Sequence, residues 1–435
     1  MMIDRRSFLK YSSALAAGMT VGSLAGRTPA AKVSANDTIN VALIGCRNMG
    51  WENLKDFLQH REVRCLALAD IDKNILASRA EELGKTQDKK PDTYGDYRKI
   101  LDRSDINIVI IGTPDHWHCL QFVDACRAGK DIYVEKPLSN SIAECEIMVE
   151  AAKRYERIVQ VGQQQRSGNL WHEMIEYLNT GQLGTIGRVH VWANFGYAAL
   201  KPVSDSAVPE GIDYDTWLGH TPKMPFNEQR FHGSWRMFWN YGGGLITDWG
   251  VHLLDMALWG MNVKTMPLKI LGSGGNHFYP EGAQETFDTM SVAYRFKDFI
   301  IEWENNALET GPYGKNYGVM FRGTNGTLVA DRADWQIYPE GEKIPAKTVK
   351  SDGQSHIRHV TNFLECVKSR NRQTACTVEN GSLCAKYSHA GNISARLGGV
   401  PLHYDEKSKQ FTDSREANRY LKPDYGNSWK FPTVK

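Results

Sequence analysis

The chain of 435 residues is too long for one ordinary hydrophobic core, and with 41% apolar residues it has the means to build two, so a soluble two-domain protein is expected. Lys and Arg total 52 against 50 Asp and Glu, a formal charge of +2, and the basic residues are scattered rather than striped along one face, which excludes a nucleic-acid partner. Past the N-terminal segment no run approaches the roughly 20 apolar residues of a membrane span.

In chain order, Asp4-Arg5-Arg6-Ser7-Phe8-Leu9-Lys10 stands directly before a small-residue, mildly apolar stretch over 11–26 and resembles a twin-arginine export signal. Val33-Ser34-Ala35 has small residues at both positions a signal peptidase requires, so 1–35 is read as the signal, the mature chain starts near Asn36, and a periplasmic protein is expected. From Ile39, short β-branched runs alternate with amphipathic stretches: a strand over 40–44, a helix after Gly50, a strand over 63–69, a helix to Leu83, and a short strand and helix over 93–101. Residues 106–111 form the near-continuous apolar run that buried parallel strands show. A helix over 116–127, a strand over 131–134, a helix over 142–154 and a strand over 158–161 complete a doubly wound parallel sheet, a Rossmann domain spanning 36–162.

After Gly162 the texture changes. Alternating segments at 188–194, 289–296, 299–303 and 318–322 predict a large, mostly antiparallel open sheet, with helices over 170–178, 247–258, 356–369 and 378–396. The fold class is therefore α/β, with an α+β substrate domain over 163–435 whose last helices are expected to pack back on the first domain. Cys46, Cys65, Cys119, Cys126, Cys145, Cys366, Cys376 and Cys384 show no paired metal-ligand spacing and read as small core hydrophobes, so no metal is expected.

The turn after the first strand reads Gly45-Cys46-Arg47-Asn48-Met49-Gly50, with the first and third glycines of a G-x-G-x-x-G fingerprint in place. Arg47 occupies the second, where glycine would let backbone approach a pyrophosphate, so the approach is looser or Arg47 itself turns toward a phosphate. Asn48 and Met49 count with it as cofactor contacts. Asp70 ends the second strand, where a carboxylate accepts hydrogen bonds from ribose hydroxyls and repels a 2′-phosphate, favouring NAD over NADP, while Asp72 reads as a turn or cap residue. Gly112-Thr113-Pro114-Asp115-His116-Trp117-His118 turns into a helix at the carboxyl edge of the sheet and sets Thr113, Pro114 and His118 beside the cofactor. Glu135-Lys136-Pro137 delivers Glu135 and Lys136 to the same edge, where a lysine can bind a substrate hydroxyl and move a proton. Gly242-Gly243-Gly244-Leu245-Ile246-Thr247-Asp248-Trp249-Gly250-Val251-His252 sets Asp248 and His252 one helical turn apart behind a glycine-led N-terminus. His252 is then a candidate acid or base oriented by Asp248, although such a pair also suits a structural role.

Together these motifs resemble the Gfo/Idh/MocA family, the glucose-fructose oxidoreductase and inositol dehydrogenase group, from about Ile39 to Leu397. The resemblance implies that Lys136, Asp248 and His252 line the substrate site and that Gly45, Gly50, Asp70, Thr113, Pro114 and His118 contact the cofactor. It also places Gln164 and Arg166, within Gln163-Gln164-Gln165-Arg166, near cofactor and substrate. The implied activity is hydride transfer between a ring carbon of a sugar, glycoside or cyclitol and nicotinamide C4, with a proton moving through Lys136 or His252. Two other readings stay open: an NAD-dependent glycosidase that oxidises, eliminates and reduces again with a tightly bound cofactor, and a non-catalytic sugar or cofactor binder. Trp192, Tyr197, Trp217, Phe231, Trp235 and Trp239 suit a carbohydrate cleft, and a homo-oligomer formed through the open sheet is expected.

Overall fold

The apolar runs of the first domain become a parallel sheet of six strands: β1 (Ile39–Ile44), β2 (Val63–Ala69), β3 (Asp92–Tyr94), β4 (Ile108–Ile111), β5 (Asp131–Val134) and β6 (Val159–Val161). This computed structural model describes residues 38–434, and the twin-arginine segment over 1–35 lies outside them. β4 and β5 are buried along their whole length, as strands covered by helices on both faces must be. The spatial order β3-β2-β1-β4-β5-β6 reverses direction between β1 and β4. Turns leaving those two strands diverge, and the crevice that opens there is where doubly wound sheets take their ligands.

Eight more strands form the second sheet: β7 (Ile186–Asn194), β8 (Lys269–Gly275), β9 (Thr289–Arg295), β10 (Ile300–Asn306), β11 (Tyr317–Gly323), β12 (Gly326–Ala330), β13 (Asp334–Pro339) and β14 (Lys347–Lys350). Their order is β14-β13-β12-β11-β7-β10-β9-β8, and only β7 and β10 run parallel. Burial alternates along β8, β9 and β10, so one face meets helices and the other does not. The helix Gly250–Gly260 lies on the covered face, buried through Leu258. The outer face carries charge pairs instead, Arg188 with Glu302 and His190 with Glu304.

The helix Val378–Arg396 packs on β8 and on the helix Ile142–Arg154 at once, and so belongs to both sheets. The helix Ser355–Ser369 packs on Asn48–Leu58, where Val360, Phe363 and Leu364 share a core with Phe57 and Tyr133. The second domain thus completes the core of the first.

Two differences from the sequence reading have plain causes. Four strands, β8, β12, β13 and β14, lie outside the expected segments: β8 ends in glycines, β12 is five residues buried at four of them, β13 places only Trp335 and Ile337 inside, and β14 is four residues with exposed lysines at both ends. The helix expected over 247–258 is split into Leu245–Asp248 and Gly250–Gly260, with Trp249 between them at φ −98°. All eight cysteines are buried and unpaired. Among the described residues no helix is long and apolar enough to cross a membrane.

Candidate active site

The C-terminal ends of β1, β2, β4 and β5 open on one cavity of about 460 Å³. Its floor depends on three glycines. Gly45 sits at φ 88°, and a Cβ there would stand 2.7 Å from the Gly112 carbonyl carbon; a Cβ on Gly112 would stand 2.5 Å from Gly50 Cα, and one on Gly50 would overlap the Gly45 carbonyl oxygen. Only bare backbone lets the helix Asn48–Leu58 start this close to the sheet. Its first turn has neither an acidic residue nor a side-chain cap, so its N–H groups remain available to an anion.

Asp70 closes the other side of the turn, accepting from the Cys46 N–H at 2.7 Å and the Asp72 N–H at 3.0 Å. Burial pushes its carboxyl upward against those hydrogen bonds. Asp72 caps the helix Lys73–Gly84 through the Asn74 and Ile75 N–H groups, and Arg47 reaches it at 3.2 Å from the cavity wall. An uncapped helix N-terminus for a pyrophosphate and a carboxylate at the end of β2 for ribose hydroxyls fit a nicotinamide dinucleotide.

The second domain supplies the roof. Ile212 forms a backbone bridge with Asp72, and the Lys73 N–H donates to Gly211 O at 3.0 Å while the Asp213 N–H donates to Ile71 O at 3.0 Å. Asp213, Thr216, Trp217, His232, Trp235 and Arg236 then face the glycine turn across the cavity. From the C-terminal segment Trp429 joins the wall, its ring edge-on to Trp117 at 5.0 Å and beneath the Arg98 guanidinium.

At the end of the cavity that meets the second domain, Lys136 Nζ donates to Asp248 Oδ1 at 2.5 Å and to Asp248 O at 2.8 Å. Tyr197 donates its hydroxyl to Oδ2 at 2.8 Å, and Arg236 Nε approaches Oδ1 at 3.2 Å. Burial alone would raise the Asp248 carboxyl, but the charges of Lys136 and Arg236 outweigh it and hold the group well below the usual carboxylate range. No hydrogen bond joins Asp248 to His252 among the described residues, because the carboxylate is already taken by these three donors. His252 is buried, with no hydrogen-bond partner for its Nδ1 among the described residues. Burial and then the charges of Arg332 and Lys136 push it well below the usual histidine range, leaving a neutral imidazole.

Of the residues singled out in the sequence, Gly45, Arg47, Asn48, Met49, Asp70, Thr113, Pro114, Glu135 and Lys136 come together in the cavity wall. Gly50 lies beneath the turn as packing. His118 faces away: its two ring nitrogens lie 2.8 Å from Thr113 O and Pro137 O, and burial pushes it down to about 4, so it ties the Thr113 turn to the residue directly after Lys136 from behind. Gln164 is buried between the Tyr133 hydroxyl and Glu135, which also accepts from Asn53 at 2.8 Å. Arg166 is held in a two-pronged pair with Asp255 at 2.7 and 2.6 Å, over Trp259 and outside the cavity wall. Of the six aromatics, Tyr197, Trp217 and Trp235 reach the site. Phe231 is core, Trp239 packs on Phe287, and Trp192 is buried with Met320 and Val329.

Sequence reasoning passed over Asp115, His232, Arg236, Arg332 and Trp429. Arg236 had a usable signal, since it precedes the triple glycine and its carbonyl accepts from the Gly244 N–H at 2.9 Å. Asp115 opens the helix Asp115–Arg127, and His232, Arg332 and Trp429 stand on turns and tails without periodicity. Among the described residues no cluster of His, Cys, Asp or Glu is placed to hold a metal ion.

A Rossmann crevice roofed by a second domain that adds a lysine-bound carboxylate defines a two-domain, dinucleotide-binding oxidoreductase. The family comparison agrees: the oxidoreductase-family NAD-binding Rossmann fold matches residues 39–163, and the oxidoreductase-family C-terminal alpha/beta domain matches residues 184–431. The chain belongs to the Gfo/Idh/MocA oxidoreductase family.

Among curated proteins it is 28% identical over 258 residues to the glycosyl hydrolase family 109 protein 1 of Shewanella sp. (strain ANA-3), covering 55% of this chain and 51% of that protein. It is 27% identical over 206 residues to an alpha-N-acetylgalactosaminidase of Shewanella oneidensis, covering 43% of this chain and 44% of the other. The chain spans about half the length of these curated relatives. Two solved structures share the fold. Aldose-aldose oxidoreductase from Caulobacter crescentus, complexed with glycerol, superposes with a TM-score of 0.64 at 18% identity, over 84% of this chain and 99% of the other. Levoglucosan dehydrogenase, in complex with NADH and levoglucosan, gives 0.63 at 19%, over 84% and 98%.

Proposed function

We propose that the protein is an NAD-dependent oxidoreductase acting on a secondary hydroxyl of a sugar, glycoside or cyclitol. The observation that carries this reading is the Lys136–Asp248 pair, 2.5 Å apart, at the point where the dinucleotide cavity meets the second domain. When bound there, a nicotinamide dinucleotide supplies a hydride acceptor. Everything else falls to side chains. Two of the three Lys136 N–H groups are held by Asp248, and the third is free for a substrate oxygen. The ionised Asp248 keeps that ammonium and the Tyr197 hydroxyl in place, and the substrate hydroxyl proton leaves to the neutral His252, or to Lys136 as Lys136 passes one of its own protons to Asp248. Positioned acid and base help of this kind contributes about 10² to 10⁴ in rate. Asp70, at the ribose end, favours NAD over the phosphorylated form.

Mass spectrometry of the cofactor that copurifies, followed by a sugar and glycoside screen read by reduced-nicotinamide absorbance, tests the reading. Lys136→Ala and His252→Ala should fold, retain cofactor and lose turnover. Full activity in both variants would overturn the assignment.

The names of the curated relatives favour a second reading, a glycosidase that oxidises its substrate transiently and restores the cofactor in place. The cavity wall suits it, since Trp217, Trp235 and Trp429 lie in that wall and would slow the exchange of a bound cofactor. Release of nitrophenol from a nitrophenyl glycoside without added cofactor, and without net reduction, would select it. Export by the Arg5-Arg6 signal and self-association through the outer face of the second sheet belong to the same proposal. Retention of an Arg5→Lys/Arg6→Lys variant in the cytoplasm tests the first, and light scattering of the mature protein the second.

A further inference from the structure

Arg332 stands on the turn between β12 and β13, outside the wall of the dinucleotide cavity. Its guanidinium lies over the Trp249 ring at 4.6 Å, and Nε donates to Gln165 Oε1 at 3.1 Å. Among the described residues no carboxylate forms an ion pair with it. Its sequence neighbour Asp331 is bound to Lys315 at 2.7 Å, and Asp248 is already shared by Lys136 and Arg236. Glu135 is turned toward Asn53 and Gln164. Lys136 and Arg236 both bear on Asp248, with Asp115 and Glu135 nearby, so Arg332 is the cation of this group that forms no ion pair among the described residues. His252, 6% exposed and close enough to feel the charge of Arg332, has no partner for its Nδ1 among the described residues. A half-buried guanidinium held at Nε alone, near a buried imidazole whose Nδ1 has no partner among the described residues, leaves donors that a ligand can take up.

Resting on the oxidoreductase reading, we propose that Arg332 selects a substrate bearing a carboxylate, a hexuronic acid or its glycoside, with the carboxylate paired to the guanidinium and an adjacent hydroxyl on His252. The planar fork of arginine, fixed against Trp249, matches the two oxygens of a carboxylate. One unpaired cation balances a carboxylate's single charge, whereas a phosphate monoester brings about −1.5 to −2.

The test compares D-glucuronate and D-galacturonate with D-glucose and D-galactose on the NAD-loaded protein. Wild type should reduce its cofactor with a KM for the acids about 10- to 100-fold below that for the neutral sugars. Arg332→Gln should erase most of that ratio and Arg332→Lys restore part of it. A wild-type preference for the neutral sugars or for glucose 6-phosphate, or an Arg332→Gln variant that weakens acids and neutral sugars equally, would overturn the inference. If no sugar reduces the cofactor, titration calorimetry with D-glucuronate separates the two claims. Binding that Arg332→Gln abolishes keeps the carboxylate site while the oxidoreductase reading fails; absence of binding overturns this inference too.

Discussion

Asp248 is held by Lys136, Arg236 and Tyr197 and makes no hydrogen bond to His252 among the described residues, so it does not steer the imidazole. Its place in the chemistry is to fix Lys136, so Asp248→Asn should lower kcat/KM about 10²- to 10³-fold while cofactor titrations stay near wild type, and Tyr197→Phe should cost less. Because Lys136 and Arg236 depress the Asp248 carboxyl below its unfolded value, the stabilisation it brings is present above about pH 4 and disappears only in stronger acid. Asp115 behaves oppositely. Burial pushes its carboxyl well above the ordinary range although Arg236 and Lys136 pull it down and Asp248 and Glu135 add to the rise, so stability falls as pH rises from about 4 toward the folded value. Asp115→Asn should flatten the fall in melting temperature above about pH 4, which thermal scans taken upward from that pH would register. Lys136 and Asp248 were legible because each ends a recognisable strand or follows a triple glycine. Arg332 was not, since it is brought in by the turn between β12 and β13, which has no period to read, and Tyr197 was legible only as one of several cleft aromatics, not as a partner of Asp248.

At the scale of elements, the contact among Gly45, Gly50 and Gly112 joins β1, its following helix and β4. Gly112→Ala would press a methyl against Gly50 Cα, and should cost about 1–3 kcal/mol in denaturant unfolding together with a loss of NAD affinity. Buried parallel strands were legible for a physical reason: covered on both faces, β4 and β5 must be apolar throughout. The second sheet was legible only in its centre. β7, β9 and β10 carry alternation long enough to read, whereas β14 is four residues with exposed lysines at both ends. The break at Trp249 escaped notice because a tryptophan in an amphipathic run looks like one more helical residue; its ring instead stacks on Phe195 at 4.5 Å and carries Arg332. Spacing alone promised an Asp248–His252 contact, and the competing partner arrives from the other domain.

For the molecule as a whole, the two sheets do not have separate cores. Phe363, from the second domain, is fully buried with its ring 6.0 Å from both Phe57 and Tyr133 of the first. Phe363→Ala should therefore cost about 3–5 kcal/mol and lower one shared unfolding transition, observable by calorimetry. The same interdependence governs the dinucleotide crevice, whose wall includes Gly45 near the start of the described chain and Trp429 near its end. That wall is finished only when the last residues have emerged and folded, so a nucleotide seated before Trp429 settles is enclosed by a chain that closes behind it. On the resident-cofactor reading, cofactor content would be set largely at synthesis. An isotopically labelled nicotinamide pulse should stay with the cohort of molecules made during the pulse, and Trp429→Ala should let the label pass to older ones.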